Sequence, residues 1–288
     1  MPLLSRELLA KLARFSLKSR SRKAGIRSGA HRSRRRGQSQ EFADHRAYVP
    51  GDDIRYLDWH LYGRLDTLWI KLFEAEDDRV IQIFLDNSAS MEGPKLTLAK
   101  ELAGALGVIA LGSQDRVALA GVNDTMHSYA PPSRGRQRVA PTLQTLEGLP
   151  CEGGTNWTAA LASAPRQRGS GVALLFTDGL DEGGLEASLR RLSSLNDEVH
   201  LFHILSPEDW RPSIRGDLLL VDSETGAELP VSIDERYIDE HEAIVTEWAN
   251  ALRRQCQRLR VGYSLLSTAD NVDDILFRDL RRQQVLGR

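Results

Sequence analysis

The sequence VIQIFLDNSAS at positions 80–90 decides how this chain is interpreted. Six mainly apolar residues, 80–85, predict a buried strand. Directly behind this strand come a carboxylate and two hydroxyls at alternating positions, Asp86, Ser88 and Ser90. Alternating side chains on an extended turn can point at one spot, and their oxygens suit Mg²⁺, Mn²⁺ or Ca²⁺ rather than zinc or copper. The stretch therefore predicts a divalent-cation site at the end of a strand.

Two later segments supply the same kind of oxygen ligand. The segment EGGTN at 152–156 offers the Thr155 hydroxyl at the mouth of a helix, and FTDG at 176–179 ends a second apolar strand with Asp178. Asp and Ser residues that follow strands also cap helices, which is the alternative explanation for each segment taken alone. Three such segments at consistent strand ends favour one shared metal site.

The series Asp86, Ser88, Ser90, Thr155 and Asp178 resembles the metal-ion-dependent adhesion site of the von Willebrand factor A fold. The resemblance implies that the three hydroxyls coordinate a divalent cation and that the two carboxylates bind it directly or through water. Mg²⁺ is the expected cation, with Mn²⁺ or Ca²⁺ as alternatives. The resemblance also implies an open coordination position, which an acidic side chain of a partner protein fills.

From residue 79 onward, strands alternate with helices. Such alternation predicts an α/β fold with a mostly parallel sheet and helices on both faces, which is also the von Willebrand factor A-like, Rossmann-like architecture. Ligands of parallel sheets gather at the carboxyl ends of strands, where Asp86 and Asp178 are expected. The predicted strands are 80–85, 116–122, 172–176, 198–205 and 261–266, with a short edge strand at 126–129 and a break at Pro131 and Pro132. The predicted helices are 95–111, 137–146, 157–164, 185–195, 236–258 and 273–284.

A different pattern interrupts this alternation near 216–233. Two strand-like runs, 217–221 and 228–233, flank a turn at 224–226 and predict an inserted β-hairpin. The expected organisation is an N-terminal extension, 1–78, that packs on the core, followed by a von Willebrand factor A-like domain, 79–288, that carries the hairpin.

The N-terminal extension contains three kinds of sequence. Leucines at 4, 8 and 12 with Phe15 predict a short amphipathic helix, and the aperiodic residues 19–40 indicate an extended arm. Residues 41–76 mix aromatic, acidic and arginine side chains, with a strand expected at 67–73. Buried Arg–Asp pairs and a tryptophan anchor would make this segment a structural lock, and the alternative is a partner surface. The residues concerned are Arg46, Tyr48, Gly51, Asp52, Asp53, Arg55, Asp58 and Trp59.

These residues, together with Glu41, Phe42 and the hairpin motif DSETG at 222–226, closely resemble domain-of-unknown-function family fifty-eight of bacteria and archaea. Members often lie beside genes for MoxR-type AAA+ ATPases, and many carry N-terminal membrane helices of a kind not expected here. The resemblance implies a protein-binding scaffold or adaptor. Its partners would be such an ATPase and a client protein, in assembly, maturation or stress response.

The net charge of −2 conceals an uneven distribution. Residues 1–40 carry twelve Lys or Arg and one acid, Glu7, so the rest of the chain is acidic. The basic arm is expected to pack on this acidic body, and attachment to nucleic acid or a membrane surface is the alternative. Phe15 is the one aromatic residue of positions 1–40. This basic region therefore offers no platform for stacking bases, and nucleic acid is not an expected partner.

Cysteine content and hydropathy bear on the compartment. The two cysteines, Cys151 and Cys256, form no disulfide framework, so a reducing, cytoplasmic setting is expected. No stretch has the length of a membrane span, and the N-terminus lacks the apolar core of a secretory signal.

Catalytic patterns are weak throughout the sequence. Asp86 follows a strand, as the nucleophile of aspartate-based phosphatases does, but those enzymes need a second Asp where this chain has Ser88. A phosphate-binding GxxxxGK loop is missing, and His241 with Glu242 lacks the second histidine of a zinc protease. A non-enzymatic role is expected, with a metal-dependent hydrolase or phosphatase as the alternative.

Overall fold

The computed structural model describes residues 3–18, 42–73, 79–163, 171–181, 183–223 and 226–287. Within the second range, side chains are described from 44 to 71. The predicted arm at 19–40 and the hairpin turn residues 224 and 225 lie outside the described residues.

The strands of the described residues are numbered in chain order. They are β1 (Ser16–Leu17), β2 (Phe42–Ala47), β3 (Trp69–Phe73), β4 (Val80–Asp86), β5 (Arg116–Val122), β6 (Met126–Arg134), β7 (Gly171–Thr177), β8 (Glu198–Leu205), β9 (Gly216–Val221), β10 (Glu228–Ile233), β11 (Gly262–Ser267) and β12 (Leu286–Gly287).

The α-helices are numbered in the same way. They are α1 (Arg6–Leu12), α2 (Trp59–Leu65), α3 (Pro94–Gly112), α4 (Val139–Glu147), α5 (Trp157–Ala162), α6 (Glu186–Leu195), α7 (Pro207–Trp210), α8 (Glu235–Arg258), α9 (Val272–Asp274) and α10 (Leu280–Arg282). Within the described ranges, none of them combines the length and the apolar character that crossing a membrane requires.

Two compact units make up the chain. Met1–Ser21 and Asp78–Arg288 form the larger unit, and Arg22–Asp77 forms the smaller one. Helix α1 belongs to the larger unit because Leu8 and Leu12 pack in the same core as β4 and α3. The sequence-based division at residue 78 had grouped this helix with the smaller unit.

A six-stranded sheet forms the centre of the larger unit, in the order β11-β8-β7-β4-β5-β6. Neighbouring strands from β11 to β5 pair in parallel, and β6 is antiparallel to β5. This arrangement confirms the predicted α/β class with a mostly parallel, von Willebrand factor A-like sheet. The predicted hairpin is also present, since β9 and β10 pair as an antiparallel sheet of two strands.

Alternation along β4 sends its side chains into two separate cores. Ile81, Ile83 and Leu85 pack with α1 and α3 on one face of the sheet. Phe84 packs with α5, α6 and α8 on the other face. Because both faces of β4 are covered, its last residue, Asp86, is completely buried at the carboxyl edge of the sheet.

The prediction that Pro131 and Pro132 end the edge strand is wrong. Strand β6 continues through both prolines at the edge of the sheet. Its register with β5 shifts between Ala130 and Ser133, so the two prolines fall between paired positions. An edge strand tolerates proline at such a bulge because no ladder hydrogen bond needs the missing amide hydrogen.

The helix expected at 273–284 is also interrupted. A π-helical turn, Ile275–Asp279, separates α9 from α10. Ile275, Leu276 and Leu280 are all buried in the core shared with α3, and a widened turn is compatible with burial of all three. Hydrophobic periodicity gave no sign of this turn, because the same residues also suit a regular helix.

The smaller unit contains the antiparallel pair β2 and β3 and the short helix α2. A strand was expected at the position of β3, whereas β2 and α2 were not identified. Helix α2 begins after Asp58, whose carboxylate accepts hydrogen bonds from the amides of His60 and Leu61. Mixed aromatic and charged residues hid this capped helix, because they show no apolar stripe.

Candidate metal centre

Asp86 ends the central strand β4 and organises the oxygens around it. Its Oδ1 accepts hydrogen bonds from the Ser88 hydroxyl at 2.7 Å and from the Ser88 amide at 3.1 Å. Its Oδ2 accepts a 2.6 Å hydrogen bond from Thr177 Oγ1. Ser88 Oγ also lies 3.0 Å from Ser90 Oγ. The structure therefore brings the first carboxylate and both serine hydroxyls into one continuous group of oxygens.

The loop that carries Thr155 lies against the loop that follows β4. Backbone hydrogen bonds join Glu152 N to Asn87 O at 3.0 Å and Ala89 N to Gly153 O at 2.9 Å. Thr155 is two residues further along the chain and is only 8% exposed. These bonds hold the third predicted hydroxyl at the same carboxyl edge of the sheet as Asp86.

Asp178 follows β7, the strand beside β4, and is also completely buried. Its Oδ1 accepts a 3.1 Å hydrogen bond from the Leu180 amide, and its Oδ2 accepts a 2.9 Å bond from the Lys95 ammonium. The Lys95 side chain is 10% exposed, and its Nζ lies 3.5 Å from Asp209 Oδ2. Burial opposes the charge of Lys95, but the two carboxylates outweigh it and raise its pKa above the ordinary value. A buried cation therefore lies beside the second predicted carboxylate.

The donor set fits a hard divalent cation. Burial raises the pKa of Asp86 to about 6, and the negative charge of Asp178 adds to the rise while the Thr177 hydroxyl opposes it. A buried carboxylate whose charge is disfavoured in this way is stabilised by a positive ion. Among the described residues no three His, Cys, Asp or Glu side chains cluster as metal ligands. This set differs from such a cluster because hydroxyls provide its other oxygens.

His203, on the neighbouring strand β8, supports the loop that carries Asp178. It is completely buried on β8, and its Nε2–H donates to the Asp178 carbonyl at 2.8 Å. Its Nδ1 lies 2.8 Å from the Tyr263 hydroxyl, and its ring meets Trp248 edge to face at 4.8 Å. Burial lowers the pKa of His203 to about 4, so the neutral ring acts as a donor to the loop backbone.

Three residues of the site were missed by sequence reasoning. Thr177 stands directly before Asp178, and its place at the end of the strand could have identified it. Lys95 could also have been identified as a site residue from its position. A cation in the first turn of a helix opposes the helix dipole and needs a compensating partner. His203 contacts the Asp178 loop from the neighbouring strand, and no local sequence pattern indicates that contact.

The segment predicted as a lock contains two Arg–Asp pairs of different quality. Arg46 bonds both oxygens of Asp52 at 2.9 Å, around a turn in which Gly51 has a φ of 106°. Arg55 pairs with Asp53 at 2.5 Å, but its side chain is 81% exposed. The first pair closes the turn between β2 and α2, and the second is a surface contact that contributes little to stability.

Asp58 contacts several other residues of this segment. Besides capping α2, it lies 2.9 Å from His45 Nε2 and 3.3 Å from the Lys71 ammonium. The Tyr48 amide extends the β2–β3 ladder by donating to the Leu68 carbonyl at 2.9 Å. These contacts hold β2, β3 and α2 of the segment together.

Trp59, the expected anchor of the segment, is largely exposed. Its residue is 63% exposed, and its ring meets that of Tyr62 edge to face at 6.2 Å. Ile54 is also 63% exposed. The aromatic part of the segment therefore presents apolar area at the surface, whereas its ionic part is structural.

Several known proteins are similar to this chain. An uncharacterized protein of Mycobacterium tuberculosis is 27% identical over 237 residues, which cover 79% of this chain and 74% of that protein. An uncharacterized protein of Mycobacterium bovis shows the same identity and coverage.

Solved structures with a similar arrangement include two from Bacteroides. An aerotolerance-related membrane protein from Bacteroides fragilis is 18% identical, with a TM-score of 0.44 over 72% of this chain and 98% of that one. BatB from Bacteroides thetaiotaomicron is 17% identical, with a TM-score of 0.42 over 72% and 96% of the two chains.

A von Willebrand factor type A protein from Catenulispora acidiphila is 16% identical, with a TM-score of 0.43 over 75% of this chain and 43% of that one. The family described as protein of unknown function DUF58, which the motifs of the smaller unit and the hairpin resemble, matches residues 44–253. This match covers most of the sequence, and the chain belongs to that family.

Proposed function

We propose that this protein is a metal-dependent protein-binding scaffold or adaptor. It would work with a MoxR-type AAA+ ATPase in the assembly, maturation or stress response of a client protein. The observation that carries the proposal is the continuous group of oxygens at Asp86, Ser88 and Ser90. The first two residues are completely buried, whereas Ser90 is partly exposed.

The cation of this proposal is divalent, with Mg²⁺ as the first choice and Mn²⁺ or Ca²⁺ as alternatives. Three of the five ligands are neutral hydroxyls, so few negative charges offset those of the cation. When bound, the cation supplies a positive centre for an acidic side chain of the partner. The ligands are Asp86, Ser88, Ser90, Thr155 and Asp178.

The residues around this group favour binding over catalysis. Both carboxylate oxygens of Asp86 accept hydrogen bonds in a completely buried position, which is unsuited to nucleophilic attack. Both ring nitrogens of His203 have partners within the protein, so this imidazole supports the fold. The proposed role is therefore non-enzymatic, and phosphatase turnover with Mg²⁺ that Asp86→Ala abolishes would contradict it.

The proposed setting is the cytoplasm. Both cysteines are free: Cys256 is buried, and Cys151 is partly exposed. A free, partly exposed thiol suits a compartment that keeps cysteines reduced.

A binding experiment tests the partnership and its metal dependence together. The full chain is immobilised and exposed to the purified MoxR-type ATPase of the same organism, in Mg²⁺ or in EDTA. We expect capture in Mg²⁺ that EDTA and Asp86→Ala both remove, and that Asp239→Ala, an exposed control on α8, preserves. Capture that is equal in all four conditions would refute metal-mediated docking, and no capture in any condition would refute the ATPase partnership.

A further inference from the structure

Lys95 is a buried cation for which the proposed metal chemistry has no use. It lies in the first turn of α3, a helix that is otherwise apolar towards the core. Its ammonium is 2.9 Å from Asp178 Oδ2 and 3.5 Å from Asp209 Oδ2. An ammonium group is costly to bury without a partner, so these carboxylates determine where it lies.

The two carboxylates of the site have different partners. Asp86 accepts hydrogen bonds from hydroxyls and an amide, all of them neutral donors. Asp178 accepts one bond from an amide and one from the full positive charge of Lys95. Most of the negative charge of Asp178 is therefore already balanced within the protein, whereas that of Asp86 is not.

We propose that Lys95 competes with the divalent cation for Asp178 and so weakens metal binding in the absence of a partner. This inference rests on the metal site of the proposed function. With the ammonium beside Asp178, the divalent cation meets less negative charge than Asp86 and Asp178 would offer without Lys95. It binds less tightly, and it attracts an incoming carboxylate more strongly.

Asp209 is the second anchor of the ammonium. It lies on α7, where its carboxylate caps the helix by accepting from the Ser206 amide at 2.8 Å. Its side chain is 34% exposed, so it stays in contact with solvent. Because it already lies 3.5 Å from Lys95, it keeps the ammonium paired when Asp178 turns to the cation. Removal of this anchor leaves Lys95 with Asp178 alone and strengthens the competition.

Mn²⁺ binding measures this competition without any partner. The full chain is titrated with Mn²⁺, and the free ion is followed by electron paramagnetic resonance. Lys95→Met should bind Mn²⁺ about tenfold more tightly than the wild type or better, because a buried like charge has been removed. Lys100→Met is the matched control, since its ammonium lies on the same helix but bonds the carbonyls of Glu147 and Leu149. It should leave the affinity unchanged.

Asp209→Asn should change the Mn²⁺ affinity in the opposite direction from Lys95→Met. The amide can still accept from Ser206 but no longer attracts Lys95, so Mn²⁺ binding should weaken. This loss should disappear in the double variant with Lys95→Met, which separates an effect through the lysine from a general change of charge. Since Asp209 is partly exposed, this single variant tests the inference even if Lys95→Met fails to fold: an affinity unchanged by Asp209→Asn would overturn the competition.

The outcomes separate this inference from the proposed function. Tighter binding by Lys95→Met than by the wild type, abolished in both by Asp86→Ala, supports the two together. Mn²⁺ binding by Lys95→Met but not by the wild type supports the competition. It would refute a metal-dependent function for the wild-type protein without a partner. Equal or weaker binding by Lys95→Met overturns the competition and leaves the metal site intact. No binding by any variant overturns both.

Discussion

Thr177 Oγ1 donates a 2.6 Å hydrogen bond to Asp86 Oδ2 and accepts a 3.0 Å bond from the Gly179 amide. The two residues end neighbouring parallel strands, β7 and β4. One hydroxyl thus joins the first carboxylate of the site to the loop that carries the second. This contact therefore links the two predicted metal-binding loops directly.

Replacing this hydroxyl by a methyl group should therefore destabilise the site. Thr177→Val keeps the shape of the side chain but leaves Asp86 Oδ2 and the Gly179 amide without a buried partner. We expect a loss of about 1–3 kcal/mol in the free energy of unfolding. Thr177→Ser retains the hydroxyl and is the control. Denaturant unfolding in EDTA measures both, and equal stabilities would show that the hydroxyl contributes nothing.

Metal removal provides a direct test of the site. At about a hundred times its dissociation constant, Mg²⁺ or Mn²⁺ should stabilise the wild type by roughly 2.7 kcal/mol. Asp86→Ala should abolish this gain. In EDTA the variant should be at least as stable as the wild type, because burial and Asp178 disfavour the charge of Asp86. Thermal unfolding with and without metal measures the gain, and a shift that persists in the variant would place the cation elsewhere.

The pH dependence of unfolding should carry a contribution from His203. Its pKa falls from an ordinary 6.5 to about 4 on folding, because the ring is buried. The unfolded chain therefore binds more protons between these values. The stabilising effect of the neutral ring is complete above 6.5 and is lost as the pH falls to about 4, a change of roughly 3 kcal/mol.

His203→Gln isolates this contribution from other titrating groups. Asp86 acts in the opposite direction, since its raised pKa makes folding more favourable as the pH falls towards its ordinary value. The relevant quantity is thus the difference between wild type and variant, measured by urea unfolding at several pH values. A difference that stays constant from pH 7 to pH 4 would show that His203 does not titrate as the structure requires.

A pair of glycines separates backbone strain from steric contact. Gly179 and Gly184 both have positive φ, 81° and 71°. A Cβ on Gly179 would lie 3.1 Å from Trp248 Cζ2 and 3.3 Å from His203 Nε2, whereas one on Gly184 would meet nothing within 4 Å. Gly184→Ala should cost about 1 kcal/mol from strain alone, and Gly179→Ala should cost more. Equal losses in denaturant unfolding would mean that the Asp178 loop adjusts freely.

Two roles, a structural lock and a partner surface, were considered for the aromatic and charged residues of the smaller unit, and both can be tested. Trp59→Ala should change the free energy of unfolding by less than about 0.5 kcal/mol, because the side chain is largely exposed. Arg46→Ala should instead open the turn that Asp52 closes and speed limited proteolysis within 44–71, with Arg55→Ala as the exposed control. Strong destabilisation by Trp59→Ala would instead support the tryptophan as an anchor.

Sequence reasoning was most reliable where a local rule fixes a position. Asp86 and Asp178 each end an apolar run, and parallel strands bring such ends to one edge. It failed where a distant residue decides. Lys95 is buried because a carboxylate 83 positions away neutralises it, and neither residue indicates the other locally. The identity of the cation and of the partner stays a prediction for the same reason.

Strand β6 shows a related limit. Proline is a reliable sign of irregular backbone, but its effect depends on whether a neighbouring strand needs the amide. That condition is a property of the sheet order, which places β6 at an edge.

The proline pair on β6 also affects how these molecules meet one another. An outer strand with a full row of amide hydrogens can add a strand from another chain and begin a growing aggregate. Pro131 and Pro132 carry no amide hydrogens, and they coincide with a register shift of this outer strand. The proline pair therefore makes this rim a poor template for the addition of a strand from another molecule.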